Sequence, residues 1–235
     1  MTCNDECKIY DLVCSLGGNC AAAHNLQYRG LRIASYPFDW TYFNSDEAVY
    51  KLAEGFKDGF KNYMLKENLQ EMPVNDAHSD KIQYEDEYGK IVWANHFLCK
   101  VDENGEYERV KEIYDRRFKR LVKSTETSKK ILFVFSTSFD IGIDAFLYLS
   151  RILGECYPDK EIEIKIVSFD CKENSHIIVD NVEMYSYARK INEYDFIKTN
   201  QEWAILDKIK IKSKNRRKIS LKLLGYRFRI EWSKS

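Results

Sequence analysis

Residues 9–30 of the 235-residue chain read IYDLVCSLGGNCAAAHNLQYRG, and this stretch decides the fold. The mostly apolar stretch 9–13 predicts a short buried strand. The alanine-rich run 21–29 predicts a helix, because alanine and leucine are strong helix formers. Asn19 is a good N-cap for that helix, and Gly30 stands where a left-handed C-terminal cap is favoured. The stretch therefore predicts a strand, a sharp turn and a helix in direct succession.

Cys20 falls on the first turn of the predicted helix, where free N–H groups and the helix dipole lower a thiol pKa and favour the thiolate. Gly17 and Gly18 let the backbone turn sharply enough to expose the sulfur, and with Asn19 they supply N–H donors for an oxyanion. The same turn could bind a phosphate without catalysis. The alternative is that Cys20 acts only as a small apolar residue that packs under the first turn. Cys14 lies inside the strand and is predicted to be a core residue of this kind.

A strand–helix–strand crossover is predicted further along the chain. Residues 131–135 form a continuously apolar run, as buried parallel strands do, and a helix over 143–153 and a strand over 162–169 follow. Residues 81–98 predict an antiparallel hairpin that turns near Tyr88-Gly89. The sequence therefore predicts an α/β fold, a three-layer sandwich with a mostly parallel central sheet plus an antiparallel hairpin.

Apolar spacing predicts the remaining elements. They are a helix opening at Ser45 and running towards Tyr63, which Gly55 and Gly59 weaken and could split in two, a helix over about 107–123, strands over 177–179 and 182–187, and a last helix over about 194–209 with Trp203 and Leu206 inward.

Composition restricts the class of protein. A hydrophobic fraction of 44% and an aromatic fraction of 14% support a packed core. The polar N-terminus is unlike a signal peptide, and no apolar run is long enough to cross a bilayer. The seven cysteines are odd in number and form no CxxC pair, which indicates reduced thiols in the cytoplasm and neither a metal site nor a cofactor.

Charge divides the chain unevenly. Residues 208–235 carry eleven Lys or Arg and one Glu, so this tail has a net charge of +10 and residues 1–207 have −10. We therefore predict a single catalytic-type α/β domain over 1–207 and a basic C-terminal tail over 208–235. The tail alternates basic and apolar residues and would suit an anionic surface at the inner face of the plasma membrane, whereas nucleic acid is a less favoured partner. The alternatives are a solvated tail or an extra strand pair on the acidic body.

Several segments together resemble the signature of a bacterial family known as putative papain-like cysteine peptidases. The resemblance covers roughly residues 9–136 and is most specific at its N-terminal end. The matching positions are SLGGNC at 15–20, Ala23, Leu26, Leu31-Arg32, Ser35, PFDW at 37–40, His96-Phe97, YDRRF at 114–118 and ILFV at 131–134.

The resemblance implies Cys20 as nucleophile and His96 as its base, in the order that papain-like enzymes use. It also implies a papain-like α+β fold, with the cysteine on a helix and the histidine on an antiparallel sheet, as the alternative architecture. The family pattern places an acid directly after this histidine, where Phe97 stands here. The third member of a triad therefore has to come from elsewhere in the chain.

Other residues compete for the roles around the thiol. His24 lies four residues after Cys20 on the same helix face and is a local rival to His96. Asp39, between Phe38 and Trp40, is the candidate to orient an imidazole, and the alternative is a turn or capping carboxylate. Asp102 is a weaker candidate for that role.

We therefore expect a cysteine peptidase, or a related thiol hydrolase or acyltransferase, that acts through a Cys20 thioester on a small-molecule, peptide or glycan-linked substrate. A link to cell-surface polysaccharide biosynthesis is suggested by the similarity of the basic tail to the ends of such proteins. The alternative is a non-hydrolytic glycan-assembly protein that binds a sugar-phosphate or nucleotide-sugar at the Gly17–Cys20 turn. Arg32, Arg116 and Arg117 would suit that anion, and their alternative is ordinary surface charge.

Overall fold

The computed structural model describes residues 7–73, 82–188, 201–212, 216–223 and 226–233. Its helices are α1 (Cys20–Tyr28), α2 (Asp46–Asp58), α3 (Glu106–Thr127) and α4 (Ile143–Cys156). Its strands are β1 (Lys8–Tyr10), β2 (Leu12–Gly17), β3 (Thr41–Phe43), β4 (Leu69–Met72), β5 (Ile82–Asp86), β6 (Ile91–Phe97), β7 (Lys130–Thr137), β8 (Glu161–Ser168), β9 (Ser175–Val179), β10 (Val182–Ser186), β11 (Ile209–Ile211), β12 (Arg216–Leu223) and β13 (Tyr226–Ser233).

The central sheet has five strands in the order β2-β7-β8-β10-β9. The first four are mutually parallel, and β9 joins the edge antiparallel to β10. Seven of the eight residues of β7 are buried, which is why its sequence is apolar without alternation. This confirms the predicted α/β sandwich with a mostly parallel sheet.

Helices cover both faces of this sheet, because successive residues of a buried strand pack on opposite sides. Leu132 and Val134 of β7 pack with α1 and with the chain around Trp203. Phe133 and Phe135 pack on the other face in the larger cluster, which also holds apolar residues of α2, α3 and α4. The three layers are therefore α1 with the C-terminal segment, the sheet, and the other helices.

The predicted hairpin is confirmed as β5 and β6, and it belongs to a larger antiparallel sheet in the order β3-β6-β5-β4. Buried Asp86 fixes the turns beside it, since its carboxylate accepts hydrogen bonds from the backbone N–H groups of Met64, Tyr88 and Gly89 at 2.7, 3.1 and 3.3 Å. The apolar stripe of α3 closes the same core. This sheet carries His96 on β6.

Two helix predictions differ from the structure. The helix expected to run towards Tyr63 ends at Asp58, at one of the two glycines predicted to weaken it, because Gly59 adopts a left-handed φ of 71° and caps it. The last helix, predicted over 194–209, lies partly outside the described residues. Within them the chain forms a single 3-10 turn over Ala204–Leu206 and then β11, while Trp203 and Leu206 are buried as expected.

β11 lies inside the segment predicted to be tail, and it pairs in parallel with β1. Ile209 is buried in the cluster on the α1 face of the sheet. The folded body of the described chain therefore reaches Ile211. None of the described helices is long and apolar enough to cross a membrane.

Candidate active site

Cys20 begins α1, three residues after β2 ends at Gly17. The strand beside β2 is β7, and the helix that follows β7 lies on the opposite face of the sheet from α1. Open α/β sheets bind their ligands at such a point, outside the carboxyl ends of two neighbouring strands whose helices diverge. The fold therefore places the predicted nucleophile at a position suited to a ligand site, and leaves its side chain partly exposed.

The two glycines before Cys20 are required by packing. Gly17 and Gly18 have φ values of 91° and 88°, which side chains rarely adopt. A β-carbon on Gly17 would lie 2.6 Å from Thr41 Oγ1 and 2.9 Å from the Phe38 carbonyl oxygen. The turn thus packs against the chain around residues 38–41, and its glycines face protein atoms.

Asn19 caps α1 as predicted, because its Oδ1 accepts a hydrogen bond from Ala21 N at 3.0 Å. Its Nδ2 is buried and has no hydrogen-bond partner among the described residues. The Gly17 N–H already donates to Ser15 Oγ at 3.2 Å. Of the predicted oxyanion donors, the Gly17 N–H is therefore engaged, and Asn19 Nδ2 is enclosed by protein atoms.

His24 lies one turn after Cys20 on α1, at the spacing that places two residues on the same helix face. Its ring packs edge-on against Trp40, with the ring centroids 4.8 Å apart. The Arg32 guanidinium lies 5.8 Å from the Trp40 ring. Burial, and then the Arg32 charge, lower the pKa of His24, so its imidazole is neutral at pH 7 and able to accept a proton.

Asp39 pairs with Arg32. Asp39 Oδ2 accepts hydrogen bonds from Arg32 Nη2 at 2.7 Å, from Arg32 Nε at 3.0 Å and from Tyr36 N at 2.9 Å. Its Oδ1 is buried and has no hydrogen-bond partner among the described residues. Burial raises the pKa of this carboxyl, although Arg32 opposes the shift. The carboxylate thus holds the Arg32 guanidinium with a single oxygen, Oδ2.

His96 lies on β6 against α3, and its ring packs edge-on against Tyr114 with 5.2 Å between centroids. Arg117 lies over the Tyr114 ring at 5.2 Å, so this arginine is not a simple surface charge. Burial raises the pKa of the Tyr114 phenol, Arg117 opposes that shift and the Asp39 carboxylate adds to it. His96 therefore contacts the buried Tyr114, and the Asp39 carboxylate lies within electrostatic range of the same phenol.

The segment 36–41 connects these groups. Its carbonyl at Phe38 meets the Gly17 turn, Trp40 contacts His24, and Asp39 binds Arg32 and lies within electrostatic range of Tyr114. The fold thus brings the two most specific strings of the sequence, SLGGNC and PFDW, into contact.

Sequence reasoning missed a cleft at the same edge of the sheet. It has a volume of about 340 Å³ and lies at the carboxyl ends of β7, β8 and β10, lined among others by Phe139, Asp140, Ser168, Cys171 and Ser186. No predicted site residue lines it. Its residues come from the segments after β7 and β8 and from β9 and β10, so no local motif indicates them.

Two further observations concern cysteines and metals. Cys14 is 1% exposed and burial raises the pKa of its thiol well above the ordinary value, as expected for a core residue. Among the residues that the structure describes, no group of three His, Cys, Asp or Glu side chains is arranged to hold a metal ion.

Comparison with known proteins assigns a family. Residues 11–140, more than half of the chain, match the family described as "Putative papain-like cysteine peptidase (DUF1796)". No curated protein and no solved structure matches the chain. The match spans β2, the Cys20 turn, α1, the 36–41 segment, His96 and β7. The chain therefore belongs to the family of putative papain-like cysteine peptidases.

Proposed function

We propose that the protein is a thiol hydrolase or acyltransferase in which Cys20 attacks an acyl carbon and forms a thioester. The observation that carries the proposal is the position of this cysteine on the first turn of α1, beside the carboxyl end of a parallel strand. The helix start favours the thiolate, and N–H groups of the Gly17–Cys20 turn would supply donors to the oxyanion of the tetrahedral intermediate.

An imidazole would take the thiol proton and later return it to the leaving group. His96 is our proposed base, because it stands at the position of the family pattern and contacts Tyr114, a tyrosine within electrostatic range of Asp39. Asp39, whose Oδ1 has no partner among the described residues, is the proposed orienting carboxylate. Water or an amine then attacks the thioester carbon, the C–S bond breaks, and the thiolate is regenerated.

His24 is the competing base. It shares the helix face of Cys20, and its neutral form is favoured by burial and by Arg32. Side chains in a helix lean towards its N-terminus, so the imidazole of His24 leans towards the level of Cys20.

Alkylation of Cys20 distinguishes these assignments. Iodoacetamide labelling of the residue-20 peptide would be followed by mass spectrometry from pH 5 to pH 10 in the wild type, in His96→Ala and in His24→Ala. We expect an apparent thiol pKa below the ordinary value of about 8.5, raised in His96→Ala and unchanged in His24→Ala. The reverse pattern would assign the base to His24. An ordinary pKa that neither substitution changes would exclude an activated thiol.

A generic acyl donor tests turnover. p-Nitrophenyl acetate should give a burst of about one p-nitrophenolate per protein, because an acyl-enzyme that accumulates releases its first product rapidly. The burst should be lost in Cys20→Ser. Acceleration of the slow phase by glycinamide would indicate acyl transfer, and its absence would indicate hydrolysis.

The second candidate function is binding of a sugar-phosphate or nucleotide-sugar at the Gly17–Cys20 turn, within cell-surface glycan assembly. Arg32 favours it, because its guanidinium is only 17% exposed and its charge acts on His24 of α1. Thermal stabilisation by a nucleotide-sugar, together with ordinary thiol reactivity, would support this function over the first.

A further inference from the structure

The two C-terminal strands form an antiparallel hairpin. β12 and β13 pair along their full length, from Arg216 opposite Ser233 to Leu223 opposite Tyr226. Two residues, Leu224 and Gly225 in the sequence, join them. Among the described strands, these two pair only with each other.

The register separates the hairpin residues into two chemical sets, since alternate positions of a strand belong to opposite faces and residues opposite each other share a face. One face holds Arg217 and seven apolar positions, Ile219, Leu221, Leu223, Tyr226, Phe228, Ile230 and Trp232. The other face holds five cationic positions, Arg216, Lys218, Lys222, Arg227 and Arg229, together with Ser220, Glu231 and Ser233.

A two-stranded hairpin is at best marginally stable in water, so an apolar face of this size needs a cover. A nucleic acid would neutralise the cationic positions and leave the apolar face in water. The body of the chain, with its net charge of −10 over residues 1–207, would attract the same cations, but this attraction likewise leaves the apolar face in water. An anionic bilayer surface satisfies both faces, because acyl chains accept the apolar residues and lipid phosphates attract the cations.

We propose that β12 and β13 form an amphipathic hairpin that binds the headgroup region of an anionic bilayer. Eight residues a strand are fewer than the nine to eleven that a spanning strand needs. An open two-stranded sheet would also leave unpaired backbone groups in the hydrocarbon. The hairpin therefore lies in the interface and does not cross the membrane.

The attachment point sets the orientation of the body. Lys212 N donates to the Tyr10 carbonyl at 2.8 Å, and Asp11 N donates to the Lys130 carbonyl at 2.8 Å, at the amino ends of β2 and β7. Cys20 lies beyond the carboxyl end of β2, about 20 Å away along a six-residue strand. The three residues 213–215 give a link of at most about 14 Å to the hairpin. The thiol edge of the sheet consequently faces away from the bilayer.

Vesicle co-sedimentation of the full-length protein tests the proposal. The probes are vesicles of phosphatidylcholine alone and vesicles in which about a third of the lipid is phosphatidylglycerol. We expect the wild type to sediment with the anionic vesicles, and both Leu221→Ser/Phe228→Ser and Lys222→Glu/Arg227→Glu to lose at least tenfold in partitioning. The control Lys57→Glu/Arg151→Glu makes the same change of charge on α2 and α4 and should bind as the wild type does.

The proposal would be overturned by equal sedimentation of all variants, or by binding to neutral vesicles as tight as to anionic ones. A lipid-free dimer, seen by light scattering, that dissociates in Leu221→Ser/Phe228→Ser would contradict it as well. Tighter binding to a duplex oligonucleotide than to the anionic vesicles would also overturn it. The proposal is independent of the thiol, and Cys20→Ser should sediment as the wild type does.

Discussion

Gly18 lies against the backbone of Ser136, so that a β-carbon on this glycine would stand 2.0 Å from the Ser136 carbonyl oxygen. Backbone cannot move aside as the end of a flexible side chain can. The contact joins the turn before Cys20 to β7, the strand beside β2, and so fixes the position of the start of α1 relative to the sheet.

We therefore expect Gly18→Ala to lower the free energy of unfolding by about 2–5 kcal/mol, from the strained φ and the clash together. Gly30→Ala is the matched control. It has a φ of 68° and no atom within 4 Å of the β-carbon, so it should cost only about 1 kcal/mol. Urea denaturation measures both values. Equal losses of unfolding free energy in the two variants would show that backbone strain alone, and not contact with β7, explains why position 18 requires glycine.

Removal of Arg32 should destabilise the protein strongly. The Asp39 side chain is 1% exposed, and Arg32→Ala would leave this buried carboxylate without its cation, at a cost of about 3–5 kcal/mol. Lys57→Ala removes one side of the exposed pair with Glu54 and should change the free energy of unfolding by less than about 1 kcal/mol. A loss at Arg32 no larger than at Lys57 would contradict a buried ion pair.

Cysteine reactivity in the native protein should follow burial. Cys7 is exposed, whereas Cys14 is 1% exposed and burial raises the pKa of its thiol. Brief iodoacetamide treatment at pH 8 should therefore label Cys7 and leave Cys14 unlabelled until urea unfolds the chain. Peptide mass spectrometry reads both sites in one sample. Labelling of Cys14 at a rate near that of Cys7 would place it outside the core.

Glu183 should contribute a pH-dependent part of the stability. Burial alone would raise the pKa of this carboxyl, but hydrogen bonds from Lys165, Tyr185 and His176 lower it to about 2 from an ordinary 4.5. Because the folded-state pKa is the lower one, the stabilisation is present above pH 4.5 and is lost as the pH falls towards 2.

Glu183→Gln should accordingly lower the free energy of unfolding at pH 7 by about 1–3 kcal/mol and flatten its decline between pH 4.5 and pH 2. Glu161→Gln, in the more exposed pair with Lys130, is the control and should change little. Denaturant titrations at several pH values give the slopes. An unchanged slope in Glu183→Gln would exclude the shifted pKa.

Much of the fold could be predicted from periodicity. The run at 131–135 indicated a buried parallel strand because both of its faces are covered, and α3 was marked by a regular apolar stripe. β3 and β4 were missed, since they have only three and four residues and no clear alternation. The end of α2 depended on the backbone conformation of one glycine, which spacing alone does not fix.

The site was predictable only in part. The position of Cys20 at a helix start follows from local signals, namely Asn19 and the alanines after it. The contact of His24 with Trp40, and that of His96 with Tyr114, join elements that are distant along the chain. Single-sequence reasoning has no measure of such pairings, and the roles of His96 and Asp39 stay predictions.

The residues that cover α1 come from both ends of the body. Tyr10, Trp203, Leu206 and Ile209 share one apolar cluster with Ala21, Ala22 and Leu26 of the helix, yet all four covering residues lie outside the family match at 11–140. A fragment limited to residues 11–140 would thus expose to water the apolar residues of α1 that these four side chains cover. A relative whose sequence differs after residue 140 must cover this helix with other residues. Exchange of C-terminal segments between such relatives should therefore give folded protein only when α1 is exchanged together with the residues that cover it.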